Sequence, residues 1–160
     1  MSARLLYARF PAAGHKVALE WMRVVAEIAG GAVTGTTFQT NQETLSASSP
    51  AMAWRLVSEN RREIARGCRV FADTAAARAD VAALLRMTDA FEIHTSPAPR
   101  LRSTGWFVSA GDHLVMMAAR RYEKRSAAES AAELAVRLMR GLAVESTPLL
   151  GDPRDPLVLL

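Results

Sequence analysis

The sequence predicts an α+β protein: tandem strand-turn-strand-helix repeats on an antiparallel sheet, preceded by a β-α-β extension. Three observations predict this. A Trp-led stretch appears twice, at residues 54–87 and 106–140, and the copies align with Trp54 on Trp106. In each copy a period-two apolar pattern, a polar turn and a second apolar run lead to an aromatic, Phe71 or Tyr122, as a strand pair would. Each aromatic is followed by an Ala-rich stretch with helical spacing. Half of the 160 residues are apolar, enough for a packed core.

Taken in order, residues 3–10 alternate as a short strand, and Pro11 and Gly14 punctuate. Residues 15–29 read as a helix, with Val17, Trp21, Val24, Val25 and Ile28 on one face and ion pairs expected at Lys16–Glu20 and Arg23–Glu27. Gly30-Gly31 ends it, and the β-branched run 32–40 predicts a second strand. The domain reading is therefore 1–49 as extension and linker, 50–143 as the repeat domain, and 144–160 as a tail whose apolar LVLL end requires a docking place.

Residues 52–67 could also be drawn as one helix, since Pro50 suits a first turn. The second copy decides for a hairpin, because Gly111-Asp112 separates its two apolar runs. By analogy Asn60-Arg61 turns the first hairpin, with Asn60 taking the positive φ. Asp73 or Thr74 caps the first Ala-rich helix. Ser126 and Glu129 form a capping box for the second, which is expected to stop at Gly141. Residues 91–96 alternate as a strand broken by Pro97. In Met116-Met117, one side chain belongs on each face of a strand.

The second helix is apolar almost all round. Ala128, Ala132, Ala135, Val136 and Met139 line one side, Leu134 and Leu138 the other. Such a helix is covered twice: once by its own sheet and again by helix 15–29 or by a second subunit. Leu134 and Leu138 are accordingly candidate interaction residues, and a homodimer or protein partner is expected.

The layout at Trp54, Ile64-Ala65 and Phe71, repeated at Trp106, Val115-Met116 and Tyr122, resembles the YegP-like family of small bacterial tandem-repeat proteins. The resemblance covers residues 50–143. It implies an α+β fold and self-association, and it carries no catalytic motif or established activity.

Composition narrows the function. Eighteen of the 20 basic residues are Arg, the net charge is +4, and the excess gathers in residues 95–140. Arg120, Arg121, Lys124 and Arg125 around Tyr122 are the one basic cluster, which makes nucleic acid the second candidate partner. The lone Cys68 excludes an internal disulfide and reads as a small buried residue. His15, His94 and His113 lack metal-ligand spacing. No phosphate loop, nucleophile elbow or zinc-protease motif is present; Asp112-His113 beside Ser109 is the nearest thing to a nucleophilic constellation. No cofactor and no enzymatic activity are expected. No apolar run is long enough for a membrane span and no secretory leader is evident, so the expected location is cytoplasmic. The expected function is a non-catalytic interaction or self-association module, with weak nucleic-acid binding as the alternative.

Overall fold

The structure, a computed structural model, describes residues 3–146 and 158–159. Six antiparallel strands form one sheet: β1 (Ala3–Phe10), β2 (Ala51–Ser58), β3 (Glu63–Gly67), β4 (Phe91–Ala98), β5 (Ser103–Ala110) and β6 (His113–Ala118). Their spatial order is β4-β5-β6-β3-β2-β1. Three helices join them: α1 (Lys16–Ala29), α2 (Thr74–Leu85) and α3 (Arg125–Ser146). A two-residue strand, β7 (Val158–Leu159), runs parallel to Leu6 and Tyr7 at the outer edge of β1. The rest of the apolar tail lies outside the described residues.

The sheet divides the interior into two layers. On one face α2 and α3 lie side by side over Leu5, Tyr7, Trp54, Leu56, Trp106 and Val108. On the other, α1 and the 30–50 connection cover Phe10, Ala53, Phe107, Leu114 and Met117. Met116 faces the first layer and Met117 the second, both buried, as strand alternation requires.

The two Trp-led segments carry matching features. Each has a bulge at the same offset, between Leu56 and Val57 and between Val108 and Ser109. Each folds its aromatic back onto its first strand through paired backbone hydrogen bonds, Met52 with Phe71 and Thr104 with Tyr122. The central β3–β6 pairing is symmetric about Arg66 and Met117. Residues 52–67 are two strands, not one helix. Trp54, Trp106 and Phe71 are buried, whereas Tyr122 is half-buried.

Several local expectations are corrected. Residues 32–40 form a loop with one bridge, Gln39 to His113; Gly31 and Gly35 both take positive φ there and turn the chain before a ladder can form. β1 instead pairs along its whole length with β2, placing it in the same sheet as the Trp-led segments. In the first hairpin the positive φ falls on Arg61, at 60°, not on Asn60. The loop is a tight turn closed by Arg61 N–H to the Ser58 carbonyl, followed by a left-handed residue, the arrangement of a three-residue hairpin loop. β4 continues through Pro97, which an outermost strand tolerates because a missing N–H interrupts no ladder on its free side.

The helix ends also differ. α1 is capped by His15, whose Nδ1 accepts from the Val17 N–H. Arg23 bridges Glu20 and Glu27, while Lys16 and Glu20 form no pair among the described residues. Asp73 caps α2 through Oδ1 to the Ala76 N–H, 2.8 Å. α3 begins at Arg125, so Ser126 lies within its first turn and Glu129 pairs with Arg125 instead of closing a capping box. It runs through Gly141 to Ser146 because Leu142, one turn beyond Leu138 and Met139, is buried in the same core. The second cover of α3 comes from α2 and the short turn before β4, on the same sheet face; α1 is on the opposite face.

Candidate functional site

An open groove of about 950 Å³ lies on the α1 face of the sheet. One wall is the flank of α1 from Lys16 to Ile28; the floor is β3 and β6; the far rim is Ser96, Leu101, Gly105 and Arg121. Seven cationic residues border it, Arg9, Lys16, Arg23, Arg55, Arg66, Arg120 and Arg121, against two carboxylates, Glu20 and Glu27; Arg9 stands opposite Met52, so its side chain leaves the sheet on the α2–α3 face. Both carboxylates are spent on Arg23. The hydrogen bond from Arg23 holds the Glu20 carboxyl below its usual value and in turn raises the Arg23 guanidinium.

Strand pairing builds the floor. Arg55 on β2 pairs with Arg66 on β3, and Arg66 pairs with Met117 on β6, so two arginines far apart in sequence become neighbours in a cross-strand row. Arg66 is fixed twice: its guanidinium lies 4.9 Å from the centre of the Trp21 ring, and its Nε donates to Glu63 at 2.7 Å. Trp21 is itself pinned, its indole N–H donating to the Gly67 carbonyl at 2.9 Å.

The four basic residues singled out from the sequence do not act together. Arg120 and Arg121 reach the groove; Lys124 and Arg125 do not line it. Arg120 lies over the Tyr122 ring at 4.9 Å. Arg121 laces β4 to β5, donating to the Ser96 and Ser103 carbonyls and to Ser103 Oγ. Arg125 is paired with Glu129. Arg9 and Arg55 carry no sequence signal of a cluster, and Arg66, with Arg61, Arg62 and Arg69, echoes the second-copy cluster only loosely. The readable signal was that Arg55 and Arg66 both break apolar strand runs on the same side of the pleat.

Leu138 is buried in the chain's own core, and Leu134 is half-buried against it. Both side chains thus contact the chain's own core.

The nucleophilic constellation dissolves. Ser109 is fully buried and bonds His94 Nε2 at 2.8 Å, not His113. His94 stacks on Phe107 at 4.7 Å and meets the edge of Phe38, so the pair satisfies two polar groups inside an aromatic cluster. His113 contacts Asn41 and its neighbour Asp112. Cys68 is buried, and burial followed by the nearby Asp80 carboxylate pushes its thiol far up, which keeps it protonated and unreactive. Among the described residues no three His, Cys, Asp or Glu side chains converge to hold a metal ion, and no helix is long and apolar enough to cross a membrane.

No family model, no curated protein and no solved structure matches this chain.

Proposed function

We propose that this protein is a non-catalytic binding module whose working surface is the arginine-lined groove, and that its ligand is a single-stranded nucleic acid held by its phosphates. The observation that carries this is the charge imbalance of the groove. With Glu20 and Glu27 spent on Arg23, the one further carboxylate paired with a groove cation among the described residues is Glu63, which Arg55 and Arg66 share. A concavity walled by low-dielectric protein and lined by one sign of charge concentrates a counter-charged ligand. An open concavity of about 950 Å³ suits a flexible strand that can follow its walls. The aromatic side chains on the groove face, Phe10 and Trp21, are buried, so binding rests on phosphate contacts more than on base stacking.

The matching bulges and backbone bridges of the two Trp-led segments support a second element of this reading: that both derive from one duplicated unit of the YegP-like kind. The groove sits where β3 and β6, one from each segment, meet.

The test is fluorescence anisotropy with a labelled oligothymidylate of about 20 nucleotides, longer than the ~4–16 that one small domain covers, titrated at several salt concentrations. The wild type is expected to bind at low salt. Arg66→Ala and Arg120→Ala should each weaken binding and flatten the slope of log K against log salt by about 0.7. No binding at the lowest salt, or equal binding by both variants, overturns the proposal.

A further inference from the structure

We infer that Glu63 is a built-in counter-anion of the groove, which a ligand phosphate displaces to engage Arg55 and Arg66. This rests on the proposal that the groove binds nucleic-acid phosphates.

Three observations lead to it. Glu63 takes two hydrogen bonds from Arg66, Nε to Oε1 at 2.7 Å and Nη2 to Oε2 at 3.3 Å. The same Oε2 is only 3.5 Å from Arg55 Nη1, a stretched contact. Arg55 Nε is buried without a hydrogen-bond partner among the described residues. Glu63 thus satisfies one arginine well and leaves the other short of acceptors. A carboxylate seated in an arginine fork occupies the geometry that a phosphate takes. A phosphodiester has two non-bridging oxygens, as a carboxylate has, but it is not tethered to β3 as Glu63 is, so it can settle between the two guanidinium groups and serve both. Glu63, Arg55 and Arg66 remain about 21 %, 26 % and 36 % exposed along their side chains, so the exchange needs no opening of the core. The role of Glu63 is therefore to lower resting affinity and to reject weak anions, such as isolated carboxylates, that cannot outcompete it.

The experiment compares wild type with Glu63→Gln in the oligothymidylate titration, with a duplex of equal length and a polyglutamate as further ligands. Glu63→Gln should bind the oligonucleotide about five-fold more tightly, the scale of one partly exposed ion pair, with a salt slope steeper by about 0.7. It should also gain measurable binding to polyglutamate, which the wild type rejects. Adding Arg66→Ala to Glu63→Gln should erase the gain. In the wild type, the Arg66 Nε–H resonance should shift as the oligonucleotide is added, a readout that does not depend on the variant folding. A folded Glu63→Gln with unchanged or weaker affinity, or an unmoved Arg66 resonance at saturation, overturns the inference while leaving the groove proposal standing. Failure of both wild type and Glu63→Gln to bind overturns both. Binding by Glu63→Gln alone also overturns both, since a phosphate then fails to displace Glu63 in the native protein.

Discussion

Trp54 and Trp106 occupy corresponding places on β2 and β5, yet the helices that cover them meet the sheet with different chemistry. α3 approaches with Ala128, Ala132 and Ala135, all fully buried, so its backbone lies close to the strands. The indole N–H groups of Trp106 and Trp54 are both buried with no hydrogen-bond partner among the described residues. α2 brings Ala77, Val81 and Leu84, but also Asp80. Asp80 faces the Trp54 indole N–H and takes a 3.0 Å hydrogen bond from Arg69, which lies over Phe71. One half is closed by small apolar residues and the other by a partly buried charge network. The lesson is that corresponding positions in an architecture fix where a helix must lie, not how its interface is satisfied.

The comparison breaks most readily at Gly67. A Cβ there would stand 2.6 Å from the Trp54 ring, whereas one at Gly105 would meet the Ser96 hydroxyl at 2.7 Å and the mobile end of Arg121 at 3.1 Å. Gly67→Ala is expected to cost about 3 kcal/mol, the upper range for overpacking, and Gly105→Ala about 1 kcal/mol, in urea denaturation. Equal costs would show that the first half repacks as easily as the second.

The charge network comes next. Asp80→Ala leaves Arg69 unpaired at the core boundary and should cost about 2 kcal/mol, below the ~3–5 of a fully buried pair. Burial raises the Asp80 carboxyl above its usual value despite Arg69 and Trp54. Between the unfolded value and this raised one the folded state binds more protons than the unfolded state, so stability falls as pH rises. The wild type should therefore gain on Asp80→Asn as the pH is lowered through that interval. The opposite trend would mean that the pairing with Arg69 outweighs desolvation.

A smaller contrast separates the two indoles. Neither indole N–H makes a hydrogen bond among the described residues, but that of Trp54 lies near enough to Asp80 to lower its carboxyl slightly; Trp54→Phe removes that electrostatic contact and Trp106→Phe does not. The first should cost about 1 kcal/mol more than the second by thermal unfolding.

The smallest effect concerns the hairpins. Arg61 holds φ 60° where the other turn has Gly111 at 61°. Arg61→Gly should stabilise by about 1 kcal/mol, the strain of a left-handed L-residue, while Gly111→Ala should cost about the same. A neutral Arg61→Gly would mean that glycine's greater unfolded-state freedom cancels the relief.

The α+β class, the hairpins flanking residues 59–62 and 111–112, the Ala-rich helices and the buried tryptophans were all readable from the residues. Each depends on periodicity or turn chemistry within some 15 residues of chain. The β-branched run 32–40 misled because propensity does not supply a partner strand, and the open edge of β1 faced elsewhere. Only tertiary structure decided that β1 joins β2, that α2 rather than α1 is the second cover of α3, and that α1 caps the opposite face. It also decided the groove. Arg55 and Arg66 meet across the β2–β3 hairpin, which local pattern encodes, but Arg120, just past the end of β6, joins them only because β6 pairs with β3, a long-range pairing that no local pattern encodes. The sequence determined which segments fold and which faces they bury; the order in which the sheet assembles them placed the charges together.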